Sequence, residues 1–283
     1  MGLVGHDIQA SRSPWLHEQE GAAQGLNLVY SLFDFAATGR GPEALPRLLE
    51  AAAETGFAGL NVTHPFKQAV IAHLDELSPG AARIGAVNTV VFQNGRKIGY
   101  NTDVTGFGES LRRGLPGAEL GCVLQFGAGG AGAATAQALL TAGVEELRIL
   151  DTDATRCQAL VSKLAADFGA GRAVAATALP EALAGAHGLV NATPLGMANY
   201  PGSAVPASLL DARQWVADIV YFPLETQLLR EARAAGCRTL DGSGMAVFQA
   251  AGAFDLFTGK SADRERMLRS FRAFVSRQPA SAA

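Results

Sequence analysis

The stretch GLNVTHPFKQAVIA, residues 59–72, puts a lysine where a helix would disfavour one. Thr63, His64 and Pro65 have the form of a helix entrance, because proline fits a first turn whose N–H groups need no partner. Phe66, Val70, Ile71 and Leu74 follow at helical spacing. Lys67 then falls in the first turn, near the positive end of the helix dipole. An ammonium is disfavoured there, which lowers its pKa, and a nearby carboxylate would restore it. Such a pair can give and take a proton near neutral pH. A lysine snorkelling to the surface is the competing reading. The chain carries four lysines against nineteen arginines.

A carboxylate for that lysine is offered by AVNTVVFQNGRKIGYNTD, residues 86–103, where two β-rich runs flank Asn94-Gly95, a strong hairpin signal. With a two-residue loop, cross-strand partners sum to 189, so Asn88 faces Asn101 and Ala86 faces Asp103. Alternation then sets Asn88, Asn101 and Asp103 on one face, away from the turn. Two amides and a carboxylate suit a hydroxylated molecule, and a solvent-facing polar edge explains them equally well. A third element is ASRSPWLHE. Ser13 before Pro14 reads as a helix N-cap with Ser11 two residues earlier, and hydroxyls beside a helix N-terminus make a natural carboxylate site. Capping alone would occupy Ser13 and leave Ser11 unused.

VLQFGAGGAGAATAQALL carries Gly127, Gly129 and Gly132 as G-x-G-x-x-G, with Gly130 and Ala131 inside it, after an apolar strand and at the start of a helix. In that context the first glycine permits a tight turn, the second lets backbone approach a pyrophosphate, and the third brings helix against strand. Free N–H groups at the helix start hold phosphates. The next strand, ELRILD, ends at Asp151, nineteen residues past Gly132. A carboxylate there accepts hydrogen bonds from the ribose hydroxyls of NAD and repels the 2′-phosphate of NADP, and Asp153 adds to that repulsion. Arg156 argues the other way unless it belongs to the following helix. A structural glycine turn with a solvated aspartate is the alternative.

The remaining sequence supplies the elements that must position these groups. Short strands alternate with helices over the first hundred residues: a strand at Leu3–Gly5, a helix at Pro14–Gln24, a strand at Val29–Phe33, a helix at Pro42–Glu54 and a strand at Gly59–Val62. This predicts a mainly parallel sheet. A second alternation follows residues 112–121, with strands at 122–126, 147–151, 172–176, 187–191, 215–219 and 237–240 and helices near 130–142 and 155–167. Met245–Val275 reads as two helices that pack back on the first domain, and the tail SRQPASAA is expected to fray. The fold class is α/β with two domains: residues 1–105 as a catalytic or substrate domain, 106–243 as a Rossmann domain, and 244–283 completing the first.

A net charge of −3 gives no basic footprint, so no nucleic-acid partner is expected. No apolar run reaches the length of a membrane span, and MGLVGHDIQASRSP lacks the form of a secretory signal, so a cytoplasmic location is expected. Cys122, Cys157 and Cys237 match neither a disulfide framework nor a zinc pattern and read as buried small hydrophobes. With five scattered histidines, no metal site is expected.

Taken together, SRSP, NVTHPFK, GAVNTVV, NTDVTGFG, GAGGAG, NATPLGM, DIVYFP and DGSGMAVFQAA run in order over nearly the whole chain. They resemble the shikimate dehydrogenase superfamily, especially its NAD-using quinate/shikimate branch. The resemblance implies an α/β catalytic domain and a Rossmann domain with the active site between them, and an enzyme oxidising shikimate to 3-dehydroshikimate with NAD. It implies that Lys67 and Asp103 form the catalytic pair. Ser11 and Ser13 would hold the substrate carboxylate with Tyr221 nearby, and Thr63, Asn88 and Gln249 would bind ring hydroxyls. Thr193, Pro194, Met197, Val220 and Gly242 would border the cofactor. Family NADP users carry an Asn-Arg-Thr-like stretch where this chain has Asp151-Thr152-Asp153, which again points to NAD.

SRSP, where quinate-accepting relatives often show SRTP, leans towards shikimate. Quinate or an aminoshikimate stays open as substrate, as does a catalytically silent NAD- or shikimate-binding regulator on the same fold. A homodimer is left open too.

Overall fold

The computed structural model describes residues 1–275. The predicted fraying of SRQPASAA, residues 276–283, lies outside the described residues. The chain divides into two compact units, the first made of Met1–Thr102 with Val247–Phe271, the second of Asp103–Ala246 with residues 272–275.

In the first unit the short apolar runs form β1 (Gly2–Gly5), β2 (Ser31–Asp34), β3 (Gly59–Val62), β4 (Glu76–Leu77), β5 (Thr89–Gln93) and β6 (Arg96–Tyr100). They build one sheet in the order β2-β1-β3-β5-β6-β4. The sheet is mixed: β1 lies parallel to β2 and β3, and β4 parallel to β6, while β5 is antiparallel to both β3 and β6. Val4, Leu60, Val62 and Val90 are fully buried against Phe35, Leu45, Leu49 and Phe66. Each such side chain contributes roughly 1.5–3 kcal/mol of burial free energy. The C-terminal segment is fastened to this unit by Glu20, a buried carboxylate gripped by Arg266 Nη2 at 2.6 Å and Nε at 2.9 Å. A Cβ on Gly59 would collide with the ring of Phe257, so only glycine lets the Ser243–Thr258 helix come this close to β3.

The hairpin keeps the predicted register, from Thr89↔Tyr100 to Gln93↔Arg96, with Asn94 and Gly95 at positive φ as a two-residue turn requires. It stops one pair short of the polar residues, however. Asn88 does not face Asn101: its side chain turns to Thr102, and Asn101 Nδ2 donates to the Ala86 carbonyl at 3.0 Å. Asp103 is not a strand residue opposite Ala86 either; it begins the helix Asp103–Gly114. The pairing rule held only as far as the ladder, because Asn88 satisfies the backbone N–H of Thr102 and so ends it.

The second unit contains β7 (Cys122–Phe126), β8 (Glu146–Leu150), β9 (Ala173–Ala175), β10 (Gly188–Asn191), β11 (Trp215–Asp218) and β12 (Arg238–Leu240). All pairs are parallel and the order is β12-β11-β10-β7-β8-β9. This is the doubly wound dinucleotide-binding order, with its switch point between β7 and β10. Val123, Leu147, Ile149, Val190 and Ala217 are buried beneath the helices Gly130–Thr141 and Ala154–Phe168. The three cysteines are buried and unpaired by disulfides, and no described helix is long and apolar enough to cross a membrane.

Candidate functional site

The lysine segment departs from the expected helix. His64–Lys67 form turns, and only Ala69–His73 are helical, as a short 3-10 segment. The reason is visible in the backbone. The Lys67 carbonyl, which a helix would give to Ile71, accepts the Val87 N–H at 2.8 Å, and Ile71 N–H goes to Gln68 instead. Lys67 is therefore held by a long-range bond beside β5, and the dipole argument for its amine does not apply. Its half-buried side chain follows the same peptide that Val87 fixes.

A hydrogen-bond network runs on from that point within the first unit. Asn88, next to Val87, accepts the Thr102 N–H at its Oδ1 (2.8 Å) and donates Nδ2 to the Thr102 hydroxyl (2.9 Å). Thr89 Oγ1 donates to Asn88 Oδ1 at 2.9 Å, and Asn61 Nδ2 donates to Thr89 Oγ1 at 3.0 Å. Tyr30 closes the chain by donating to Asn61 Oδ1 at 2.7 Å. Lys67 and Thr102, the residue preceding Asp103, are thus linked through two hydrogen bonds and the Val87–Asn88 peptide bond. Thr63 joins the same region, its N–H on the Val4 carbonyl at 3.0 Å. Gln249 lies half-buried in the helix Ser243–Thr258.

The serine pair also corrects the expected cap. Ser13 is the first residue of the helix Ser13–Ala23, the N-cap position belongs to Arg12, and no side chain caps it. Ser11 has the local task instead: its Oγ accepts the Ser13 N–H at 3.3 Å. The Ser13 side chain hydrogen-bonds to the buried Tyr30 phenol. The loop carrying both serines is anchored by Asp34, whose carboxylate accepts from the N–H groups of Asp7 (3.1 Å) and Ile8 (3.0 Å) and from Gln9 Nε2 (3.1 Å). Burial pushes the Asp34 carboxyl up, and these donors together with Ala37 N–H outweigh it and hold the pKa below the usual range.

In the second unit the glycine loop has a distinct reason at each position. Gly127, with φ +97°, approaches the Ala192 carbonyl so closely that a Cβ would lie 2.7 Å from its oxygen. A Cβ on Gly132 would strike the Gly127 carbonyl oxygen. A Cβ at Gly129 or Gly130 would meet nothing within 4 Å, so the helix start at Gly130 faces open space. Ala131 occupies the same first turn. Gln125 was not singled out by sequence reasoning, yet its Nε2 donates to the carbonyls of Gly127 (2.8 Å) and Gly132 (2.9 Å) and its Oε1 accepts from Thr135 (2.8 Å). A buried amide in the apolar strand CVLQF was the available signal.

Asp151 is nearly buried and fully engaged. It accepts the N–H groups of Ala128 (2.6 Å) and Asp153 (2.8 Å), and Arg156 Nη2 at 2.6 Å. Burial raises its pKa, but Arg156 and the two backbone donors outweigh that and hold the carboxyl below its ordinary range. Arg156 does belong to the following helix, and its guanidinium nevertheless turns back onto Asp151. Asp153 caps that helix, accepting from Arg156 N–H at 3.0 Å. Farther along the sheet edge, Gly242 lies against the backbone of Val220, where a Cβ would be 2.5 Å from the Val220 oxygen. Thr193 is fixed through Asn191, Pro194 is followed by the partly exposed Met197, and Tyr221 projects at 43% exposure.

A parallel sheet of this order, with a glycine loop at its switch point and an acid closing the second strand, defines a dinucleotide-binding α/β protein. The shikimate dehydrogenase substrate binding domain model matches residues 3–90, and the shikimate 5'-dehydrogenase C-terminal domain model matches residues 242–270. A shikimate dehydrogenase (NADP(+)) of Streptomyces avermitilis is 56% identical over 95% of this chain and 93% of its own. A quinate/shikimate dehydrogenase (NAD(+)) of Corynebacterium efficiens is 52% identical over 96% of each. The solved quinate dehydrogenase from Corynebacterium glutamicum in complex with NAD superposes with a TM-score of 0.91, at 47% identity, over 96% of this chain and 98% of that one. The chain belongs to the shikimate dehydrogenase family.

Proposed function

We propose that this protein is an NAD-dependent oxidoreductase that interconverts shikimate and 3-dehydroshikimate and also accepts quinate. The first unit holds the substrate and the second the dinucleotide. The reading is carried by the network that ties Lys67, through Val87 and Asn88, to Thr102 and so to the residue next to Asp103. Lys67 takes the hydroxyl proton as the ring carbon is oxidised and returns it in reduction, while Asp103 orients the ammonium. Ser11 and Ser13 receive the carboxylate, and Thr63, Asn88, Gln249 and Tyr221 receive the ring hydroxyls and carboxylate edge. The open glycines at 129 and 130, with Ala131, fit a pyrophosphate. Bound there, the cofactor supplies the hydride acceptor. The relatives support an NAD(P)-dependent dehydrogenase, and their names divide between NAD(+) and NADP(+).

The Asp151–Arg156 pair supports NAD with a narrower margin than two free aspartates would give, because the guanidinium offsets the repulsion of a 2′-phosphate. A steady-state grid of shikimate and quinate against NAD and NADP is expected to give the highest kcat/KM for shikimate with NAD. The margin over NADP should be roughly tenfold, about 1.4 kcal/mol. D151N should close or invert it, since Arg156 is then left to pair with the phosphate. Higher kcat/KM with NADP in the unmodified protein would overturn the cofactor reading, and a quinate preference would overturn the Ser13 one.

Tyr30 joins the two ends of the substrate region, so Y30F is expected to raise KM for shikimate. The loss of one or two buried hydrogen bonds, about 1 kcal/mol each, predicts a rise of about five- to thirtyfold with KM for NAD unchanged. An unaltered shikimate KM would remove Tyr30 from the network's function.

A further inference from the structure

Asp218 ends β11 and stands in register beside Asn191, the last residue of β10. It is 1% exposed, yet three different segments converge on its carboxylate. Oδ1 accepts from Asn191 Nδ2 at 2.9 Å and from Val220 N–H at 3.0 Å, and Oδ2 accepts from the Thr226 hydroxyl at 2.7 Å. Asn191 passes the constraint on. Its Nδ2 also donates to the Leu195 carbonyl at 2.9 Å, and its Oδ1 accepts from Thr193 N–H at 3.1 Å and the Thr193 hydroxyl at 2.6 Å. Thr226 in turn caps the helix Gln227–Ala234 through Leu229 N–H. Gly196, at φ +99°, brings the first loop against the second: a Cβ there would lie 3.1 Å from Thr226 and 3.7 Å from Asp218 Oδ2.

One buried carboxylate therefore sets both the 192–197 loop and the 219–226 segment. The position is unfavourable for a charge, as burial pushes the Asp218 carboxyl up to about 6 despite its three donors. A neutral residue would avoid that cost, but an amide could accept on one side only, and it is the carboxylate that accepts from Asn191, Val220 and Thr226 together.

We propose that Asp218 is a positioning residue that fixes Thr193, Pro194, Met197 and Val220 in the arrangement that receives the dinucleotide. This rests on the reading of those four residues as cofactor-facing. D218N keeps an oxygen for Asn191 and Val220 but no longer accepts from Thr226. Calorimetric titration of NAD into D218N is expected to show affinity at least tenfold weaker than in the unmodified protein, with the thermal midpoint not lowered. Thr226→Val, which removes one link and keeps the carboxylate, is expected to weaken NAD binding about threefold. Unchanged NAD affinity in either folded variant, or loss of shikimate affinity in parallel with a lowered midpoint, would overturn the proposal. M197A separates the two layers. If it weakens NAD binding while D218N does not, only the positioning role fails; if neither does, the cofactor-facing reading fails as well.

Discussion

Replacing Lys67 with alanine lowers kcat for shikimate oxidation by about 10²–10⁴-fold, the usual value of a positioned acid–base group, while shikimate affinity changes little. K67R sharpens the result. Arginine keeps the positive charge but does not deprotonate in proteins, so it should retain substrate affinity and remain as slow as alanine. Steady-state kcat and calorimetric shikimate affinity for the two variants check this. Turnover within a few-fold of the unmodified protein in either variant would defeat the assigned role. The expectation no longer depends on a helix dipole, since Lys67 lies in the turns before a short 3-10 segment. It depends on the bond from Val87 that places Lys67 beside the Asn88–Thr102 contact.

The second large effect concerns stability and falls on His17. The ring is 1% exposed, neither nitrogen has a hydrogen-bond partner among the described residues, and it stacks on Tyr30 at 4.7 Å with Phe254 and Phe257 nearby. Burial, with a minor contribution from the N-terminal charge, pushes its pKa down to about 3. Below its ordinary value of about 6.5 the unfolded chain takes up a proton that the native ring refuses. The stability is present above pH 6.5 and is lost progressively as the pH falls towards 3, by about 2 kcal/mol at pH 5. Methionine, flexible and without a titrating group, can fill the same space. H17M is expected to raise urea stability at neutral pH by about 1–3 kcal/mol, the cost of an unsatisfied buried polar group, and to flatten the loss between pH 6.5 and 5. Asp218 acts in the opposite direction in the other unit. Its raised pKa favours the folded state at low pH, and that contribution is lost as pH rises through about 6. An H17M protein as acid-sensitive as the unmodified one would assign the loss elsewhere.

The alternation of strands and helices in the second unit, the roles of Gly127 and Gly132 and the 189 register of the hairpin were legible because each follows from local spacing and glycine sterics. The errors share another cause. The helix expected at Lys67, the cap expected at Ser13 and the strand expected at Asp103 were all decided by distant partners: Val87, Tyr30 and Asn88 with Thr102. Asp34, Gln125, Asn191 and Asp218 went unmarked for the same reason. Each is a polar residue in or at the end of an apolar strand, and that contrast was their only trace in the sequence. Asp34 binds the segment that follows β1, Asn191 and Asp218 bind each other across neighbouring strands, and Gln125 binds the turn and helix that follow its own strand.

The central claim is that hydride passes directly from the substrate carbon to the dinucleotide while Lys67 handles the proton. Shikimate deuterated at the carbon bearing the oxidised hydroxyl, mixed with NAD and the purified protein, tests it by mass spectrometry of the reduced cofactor. The account predicts that each reduced cofactor carries one deuterium from the substrate. Reduced cofactor without label, or none formed with shikimate, would contradict it.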